Sequence, residues 1–354
     1  MKKTYLVLEN ERIFNGYSFG CSKEVVGEIV FTTAMTGYLE TLTDPSYYGQ
    51  IVLMTFPLVG NYGVIASDFE SNKVWPKGFI VKYPCSNPSN FRSEGDIDSF
   101  LKEKGVSGIH GIDTRALTKI IRNEGAMNGK IMFSEPTKKD FDEIKAYKVI
   151  NAVKSVSNID NGNYKQELKE GMKKIALIDT GSKRSIENEL IKRGCFVKRF
   201  SCDITSKEIL EFKPDGIMLS NGPGDPAEKI NEPLIQTVKE LIKSKVPIFG
   251  ICLGHQLLAL AHGHKTRKLK FGHRSANQPV KELSTGKVFI TTQNHGYEVV
   301  ADKPSMINVN DLSCEGMDYG LSFSVQFHPE ASGGPLDTTF LFDRFMERIE
   351  RGQK

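Results

Sequence analysis

The sequence lacks the features that mark several large classes of protein. No run of apolar residues approaches the ~18 that a membrane-spanning helix requires, and none of the six cysteines forms a C-x-x-C pair. Neither a zinc site nor a disulfide-exchange motif is therefore indicated. The net charge of +4 over 354 residues is too small to suggest nucleic-acid binding. The lysine-rich stretch 138–154 is interrupted by acidic residues, and we interpret it as a solvated helix face.

The sequence also lacks the phosphate-binding loop of many ATP-using enzymes. The nearest match to Gly-x-x-x-x-Gly-Lys-Ser/Thr is the segment 125–131, which is one residue short and has no hydroxyl after its lysine. We therefore expect that this chain does not use ATP through a P-loop.

The N-terminal segment Met1–Glu9 becomes acidic before the apolar core of a signal peptide could form. This pattern predicts a cytoplasmic location. In such a reducing compartment most of the cysteines are expected to be buried as small apolar residues.

The length predicts two domains, because a single hydrophobic core rarely extends over more than ~250–300 residues. Residues 1–150 mix strands and helices, and Asn15-Gly16 between apolar runs predicts the turn of a β-hairpin. Asp113 is predicted to cap a helix over 114–123. The polar segment 151–171 is interpreted as a linker. From 172 to 354 strands and helices alternate, which predicts a doubly wound, mostly parallel α/β sheet.

In the second half, Gly250-x-Cys252-x-Gly254 separates an apolar strand from the helix that follows it. This is the context of a nucleophile elbow, with cysteine in place of serine. The positive end of the helix would stabilise a thiolate, and the Leu253 amide could donate to an oxyanion beside the sulfur. Because the pattern is short, a buried structural cysteine is an equal alternative at this point.

A loop near the C-terminus contains a histidine and a carboxylate two residues apart. Pro329 disfavours the helical region for His328, and residues two apart in an extended segment face the same side. Glu330 can therefore lie beside the His328 ring and orient it as a general base. Taken alone, such a pair is more often a salt bridge in a loop.

A third loop, 221–226, leaves a strand at the same sheet edge. Its Gly222-x-Gly224 pattern superficially fits a dinucleotide-binding fingerprint, but Pro223 and Pro226 remove backbone donors that a pyrophosphate would need. A turn whose remaining amides face a substrate carbonyl is the better interpretation.

Together, the three loops resemble those of the class I, or triad-type, glutamine amidotransferases, in the order and at the spacing typical of that family. The rest of the chain resembles the small subunit of carbamoyl-phosphate synthetases over essentially its whole length. The segments that carry this second resemblance are Gly37–Tyr47, Gly111–Thr118, Lys270–Arg274 and Gln293–Tyr297.

This resemblance implies a chemistry. Cys252 would attack the side-chain amide of glutamine, His328 would accept and return a proton, and Glu330 would orient the imidazole. The amides of Leu253 and Gly222 would form the oxyanion hole. The residues implied to contact glutamine are Ser46 from the first domain, Gly222, Gly224, Leu253, Gln256, Asn294, Gly296 and Tyr297, and no metal site is implied.

The resemblance also implies a partner. Ammonia would pass to a large subunit that uses ATP and Mg to make carbamoyl phosphate from bicarbonate, in a heterodimer or a higher assembly. The product would serve pyrimidine or arginine biosynthesis, and the sequence leaves both open.

Three residues depart from the family pattern, namely Tyr297, where Phe is common, Ser275, where Gly is common, and Gln278, where His is common. We interpret all three as peripheral. His255 is an alternative base because it is close to Cys252 in the chain. One helical turn beyond the sulfur, however, it should point along the helix, so a structural role is predicted.

Three other functions fit parts of the sequence. An amidotransferase serving another synthetase should lack the first-domain signatures, and a stand-alone hydrolase of γ-glutamyl compounds would not need that domain. A non-catalytic binding subunit would be expected to have lost the thiol or the imidazole, and both are present.

Overall fold

The computed structural model describes residues 2–157 and 166–352, and the chain divides into two compact units. The first unit contains the residues up to Ile150 together with Lys270–Ser275, and the second contains Asn151–Leu269 and the residues from Ala276 onwards. The inclusion of Lys270–Ser275 in the first unit differs from the predicted boundaries. Phe271 stacks on Phe31 with ring centroids 5.7 Å apart, and the Ala126 amide donates to the Lys270 carbonyl at 2.8 Å.

The first unit consists of short strands with helices between them. Its strands are β1 Lys3–Leu8, β2 Ile13–Gly20, β3 Val25–Thr32, β4 Gln50–Met54, β5 Leu58–Val59, β6 Gly78–Val81, β7 Tyr83–Pro84, β8 Ser107–His110 and β9 Met127–Met132. Its helices are α1 Tyr38–Thr43, α2 Ile97–Glu103, α3 Thr114–Glu124 and α4 Lys138–Ala146.

Seven of these strands close into a barrel in the order β1-β2-β8-β6-β4-β3-β9, and β9 pairs antiparallel with β1 to complete it. The β3–β4, β4–β6 and β6–β8 pairs are parallel, whereas the others are antiparallel. Closure leaves no unpaired strand edge in the barrel. The mixed α+β content was predictable from local pattern, and the closure was not.

The predicted position of the first hairpin turn is wrong. Asn15 and Gly16 lie inside β2, and the chain turns at residues 9–12, where Glu11 has a φ of 68° and the Leu8 amide donates to the Arg12 carbonyl at 2.9 Å. Gly16 is needed for a different reason. A Cβ at this position would lie 2.4 Å from the His110 carbonyl oxygen of the adjacent strand.

Two sequence segments that mark the first half form well-defined local structure. The Asp113 carboxylate accepts from the Ala116 amide at 2.9 Å, which confirms the predicted cap of α3. The segment from Gly37 contains α1 and a 3-10 turn, Pro45–Tyr47, in which the Asp44 carboxylate accepts from the amide of Ser46 at 2.8 Å. Ser46 is buried within this turn.

The second unit alternates strands and helices before ending in an antiparallel section. Its strands are β10 Lys173–Asp179, β11 Cys195–Ser201, β12 Gly216–Leu219, β13 Ile248–Ile251, β14 Lys265–Glu282, β15 Val288–Val300, β16 Met306–Asn308, β17 Cys314–Asp318 and β18 Phe323–Val325; β14 includes the segment assigned to the first unit. Its helices are α5 Ala152–Val156, α6 Arg184–Lys192, α7 Ser206–Glu211, α8 Glu232–Lys243, α9 Leu253–Ala261 and α10 Phe340–Gly352.

These nine strands form one sheet in the order β11-β10-β12-β13-β18-β17-β15-β14-β16. The first five are parallel, which confirms the predicted mostly parallel arrangement around the site. Alternate residues of β10 face opposite sides, as the two-residue repeat of a strand requires. Ile175 and Leu177 pack in the cluster that contains α6 and α10, whereas Ala176 and Ile178 pack in the cluster that contains α7, α8 and α9.

The segment predicted as a linker is partly structured. It begins with α5, whose Val153 is buried in the core of the second unit. Residues 158–165 of the same prediction lie outside the described residues. Within 2–157 and 166–352, the structure contains no helix with the length and apolar character needed to cross a membrane.

Candidate active site

Cys252 occupies a sharp turn between β13 and α9. Its backbone angles are φ 54° and ψ −104°, outside the regions that L-residues favour. The flanking glycines are required by close backbone approach. A Cβ at Gly250 would lie 2.6 Å from the Gly254 carbonyl oxygen, and a Cβ at Gly254 would lie 2.2 Å from the Leu219 carbonyl oxygen. The pattern therefore folds as the strand–turn–helix that the sequence predicts.

The Cys252 thiol is buried beside strand β15. Its Sγ donates to the Asn294 carbonyl oxygen at 3.6 Å, and the Cys252 amide donates to the Val325 carbonyl at 2.9 Å. The sulfur therefore lies next to a residue that the family resemblance implies in glutamine binding.

His328 and Glu330 form a buried pair just beyond β18. The Nδ1 atom of His328 lies 2.6 Å from Oε1 of Glu330, and both side chains are almost fully buried. The His328 amide donates to the Thr292 carbonyl at 2.9 Å, which fixes the backbone in the extended form predicted from Pro329. This burial disfavours the alternative of a solvated loop salt bridge.

Lys183 is a member of this cluster that the sequence analysis missed. It lies between β10 and α6, and its Nζ is 2.8 Å from the same Oε1 of Glu330 that contacts His328. Both side chains are buried. Lys183 follows the last residue of β10 by four positions, and the only signal in the sequence was its place in a loop at the sheet edge where ligands bind, which does not indicate its contact with Glu330.

The charges of this cluster act on one another strongly because they are buried. Burial is the largest single influence on the pKa of His328 and lowers it, but the charge of Glu330 and the hydrogen-bonding interactions with Glu330 and Cys252 together raise it by more, so the net pKa lies above its usual range. Burial raises the Glu330 pKa, but the Lys183 ammonium and His328 lower it by more. Glu330 is therefore ionised, and its charge makes the His328 ring a stronger proton acceptor.

The Nε2 atom of His328 is buried and has no hydrogen-bond partner among the described residues. An interaction with the Cys252 thiol nonetheless contributes to raising the His328 pKa. The two residues also meet the same strand two positions apart, because the thiol hydrogen is directed to the Asn294 carbonyl and the His328 amide donates to the Thr292 carbonyl.

The loop after β12 packs against the turn that contains Cys252. A Cβ at Gly222 would lie 2.8 Å from the Leu253 side chain and 2.0 Å from the Thr180 carbonyl oxygen, so glycine is required there. The Gly254 amide donates to the Ser220 carbonyl at 3.0 Å. Leu253 is the first residue of α9, where an amide has no acceptor within the helix.

The other six predicted glutamine-binding residues lie on α9 and β15, in the loop after β12 and in the first unit. Gln256 and Asn294 are buried beside Cys252, and Nε2 of Gln256 donates to the Tyr297 carbonyl and to Oε1 of Gln326, at 2.9 Å in each case. Gly296 and the half-buried Tyr297 continue β15, and Gly224, with a φ of 89°, lies in the loop after β12. Ser46 belongs to the first unit, and its contact with glutamine stays a prediction.

His255 is held in a structural role, as predicted. Its Nδ1 lies 2.8 Å from the hydroxyl of Ser324, and the side chain is fully buried. Burial lowers the pKa of His255 to about 3, so it stays neutral at ordinary pH. Of the peripheral residues, Gln278 accepts from the Asn308 side-chain amide at 3.3 Å, and Ser275 is buried.

Two family models match the chain. The model of the carbamoyl-phosphate synthase small chain, CPSase domain, matches residues 6–131, and that of glutamine amidotransferase class-I matches residues 176–348.

Relatives match over nearly the whole chain. The carbamoyl phosphate synthase small chain of Clostridium perfringens is 49% identical over 98% of this chain and 99% of its own length. The carbamoyl phosphate synthase pyrimidine-specific small chain of Bacillus subtilis is 48% identical over 99% of this chain and 97% of its own length. Among solved structures, a glutamine amidotransferase from Thermotoga maritima aligns with 51% of this chain and 85% of its own, with 19% identity and a TM-score of 0.39. The chain therefore belongs to the carbamoyl phosphate synthase small chain family, and its second half is a class I glutamine amidotransferase domain.

Proposed function

We propose that this chain hydrolyses L-glutamine to glutamate and ammonia, with Cys252 as the nucleophile, His328 as the proton carrier and Glu330 as the residue that orients it. The observation that carries the proposal is that the strained Cys252 and the buried His328–Glu330 pair both contact β15, the Cys252 thiol at the Asn294 carbonyl and the His328 amide at the Thr292 carbonyl. Strained nucleophile turns and carboxylate-oriented imidazoles recur together in enzymes that form acyl intermediates.

The reaction would proceed in two halves. The Cys252 sulfur attacks the side-chain carbonyl carbon of glutamine while the thiol proton passes to Nε2 of His328. The carbon–nitrogen bond then breaks, and His328 returns the proton to the leaving nitrogen, which departs as ammonia. Water attacks the resulting thioester, His328 takes its proton, and glutamate is released as the thiol is restored.

The oxyanion of each tetrahedral intermediate needs preorganised donors. We assign this role to the amides of Leu253 and Gly222, whose residues pack against each other. Gly224, Gln256, Asn294, Gly296 and Tyr297 would bind the remainder of glutamine, and Ser46 would contribute from the first unit. Because the thiol hydrogen is directed to the Asn294 carbonyl, substrate binding along β15 would have to redirect it towards His328.

The ammonia would be consumed by a partner. The relatives are small chains of carbamoyl phosphate synthases, a name that implies a large chain. We propose that this chain forms a heterodimer or higher assembly with such a large chain, which would use ATP and Mg to make carbamoyl phosphate from bicarbonate. We place the reaction in the cytoplasm, serving pyrimidine or arginine biosynthesis, and assign no cofactor to this chain.

The test measures glutamate release by the purified chain, alone and with candidate large subunits. We expect weak activity alone, stimulation by a carbamoyl-phosphate-forming partner, and loss in Cys252→Ser. Cys314→Ser is the matched control, because the Cys314 thiol is similarly buried and also donates to a main-chain carbonyl, that of Gly316 at 3.7 Å.

Full turnover in Cys252→Ser would reject the mechanism. Activity that is equally high with and without any partner would support a stand-alone hydrolase. Stimulation by a different synthetase subunit would support another amidotransferase function.

A further inference from the structure

A buried arginine connects the two ends of the loop that carries Lys183. Arg199, on β11, places Nη2 2.6 Å and Nε 2.7 Å from Oε2 of Glu187, which lies in the first turn of α6. Its Nη1 is 3.5 Å from Oδ2 of Asp179, the last residue of β10. All three side chains are at most 5% exposed. One guanidinium therefore bridges the strand before the loop and the helix after it.

The Asp179 carboxylate in turn holds the loop itself. Its Oδ1 accepts from the amides of Gly181 and Ser182, at 2.9 and 2.7 Å. The next amide, that of Lys183, donates to the side chain of Asn221 at 3.0 Å. The loop is thus fixed on one side by Asp179 and on the other by the loop after β12.

The end of this arrangement is the Lys183 ammonium, which is 2.8 Å from Oε1 of Glu330. The same oxygen lies 2.6 Å from Nδ1 of His328. A displacement of Lys183 would therefore move the carboxylate that orients the imidazole.

We propose that Arg199, paired with Glu187, is a positioning residue that acts through Asp179 and Lys183 to hold Glu330 against His328. The inference rests on the proposed glutaminase function, and it concerns residues that do not touch the reacting atoms. The physical basis of this proposal is that an imidazole displaced by a fraction of an ångström transfers protons poorly. Substrate contacts made by other loops would be little affected.

The alternative is that the Arg199–Glu187 pair only stabilises the fold. The two roles differ in their effect on the pKa of His328. The charged or titratable groups that act on His328 are Glu330, Lys183 and Cys252. The Lys183 ammonium lowers the pKa of both His328 and Glu330. If loss of the Arg199 bridge displaces Lys183 and with it Glu330, the pKa of His328 must fall, because the Glu330 carboxylate raises that pKa by more than the Lys183 ammonium lowers it. A change that only loosened packing elsewhere would leave that pKa unchanged.

The main variant is Arg199→Met/Glu187→Leu, which replaces the ion pair with apolar side chains and avoids leaving Glu187 buried without its partner. Arg199→Lys is the second variant, because one ammonium can reach Glu187 or Asp179 but lacks the fork that contacts both. Arg193→Met is the matched control. Arg193 pairs with Glu189 at 2.7 Å near the opposite end of α6.

Two readouts are measured on the full chain. The first is glutamate release with the large subunit, where we expect kcat to fall about tenfold in the main variant with KM within about twofold. The second is the pKa of His328 in the chain alone, from NMR titration of ring-labelled histidine, with the signal assigned by its loss in His328→Asn. This pKa should fall in the main variant, fall less in Arg199→Lys and stay unchanged in Arg193→Met.

A combination variant tests the route through Lys183. In a Lys183→Met background, adding Arg199→Met/Glu187→Leu should change kcat by at most about twofold. It should leave the His328 pKa unchanged. Additive losses would overturn the proposal, as would a fall in thermal stability with an unchanged His328 pKa. If no partner elicits glutamate release, the proposed function fails, but the His328 pKa still decides this inference independently.

Discussion

The strained backbone of Cys252 gives a prediction that depends only on geometry. Replacing a residue at φ 54° and ψ −104° by glycine should relieve strain of about 1–3 kcal/mol. The comparison is between Cys252→Ala and Cys252→Gly, which both lack the thiol and differ by one methyl group. The reference site is Ala259, a fully buried residue in the last turn of α9, where Ala259→Gly makes the same change without relieving a strained backbone.

The expected magnitudes follow from these environments. At Ala259, glycine should cost about 0.5–1 kcal/mol in backbone entropy and about 0.8 kcal/mol for the lost buried methyl group. At position 252 the same cost is opposed by the relief of strain. The change from alanine to glycine should therefore be less unfavourable at 252 than at 259 by about 1–3 kcal/mol, and it is expected to be close to neutral or stabilising.

The assay is urea unfolding followed by far-ultraviolet circular dichroism and by tryptophan fluorescence. The chain has one tryptophan, Trp75, which lies in the first unit and reports on that unit. The Trp75 transition should stay at the same urea concentration in all variants, so that changes in the remaining transition report on the second unit. Equal alanine-to-glycine losses at positions 252 and 259, within about 0.5 kcal/mol, would show that Cys252 is not strained.

Three further predictions concern other parts of the chain. Gly250→Ala should abolish glutamate release and lower the urea midpoint, because its Cβ would lie 2.6 Å from a main-chain oxygen. The control is Gly95→Ala, which has nothing within 4 Å of the added atom and should change the free energy of unfolding by at most about 0.5 kcal/mol. Equal shifts of the urea midpoint in the two variants would contradict the geometry. Burial raises the Glu330 pKa, but the neighbouring ammonium and imidazole together lower it below its ordinary value of 4.5. The ionised Glu330 carboxylate therefore contributes its full stabilisation of the folded state above pH 4.5, and this contribution is lost as the pH falls. The unfolding free energy of the unmodified chain should therefore fall more steeply below pH 4.5 than that of Glu330→Gln, and parallel curves would refute this. Asp113→Ala removes the cap of α3 and should destabilise the first unit by about 1 kcal/mol in the Trp75 transition, whereas an unshifted transition would show that the cap contributes nothing.

The parallel part of the second unit was predictable because its determinants are local. The strand–helix alternation appears directly in the hydrophobic pattern, and the turn at Cys252 is encoded by its two flanking glycines. The pairing of His328 with Glu330 follows from an extended segment fixed by Pro329. These are interactions between residues a few positions apart, for which a single sequence carries the whole signal.

The features that escaped prediction depend on residues far apart in the chain. Closure of the barrel requires β1 to pair with β9, from opposite ends of the first unit. Lys183 and Glu330 are separated by 147 positions, and nothing in either local pattern indicates their contact. Gly16 was misread because a glycine needed for a turn and a glycine needed for close strand approach look identical in sequence.

The central claim is that the Cys252 sulfur forms a bond with the side-chain carbon of glutamine, and that His328 moves the protons. The most direct measurement is acid quenching of the chain during turnover, followed by mass spectrometry of its peptides. The account predicts a γ-glutamyl thioester on the peptide that contains Cys252, its absence in Cys252→Ser, and its strong reduction in His328→Asn. Glutamate release with no adduct on Cys252 under conditions that preserve thioesters, or with an adduct on another cysteine, would contradict it.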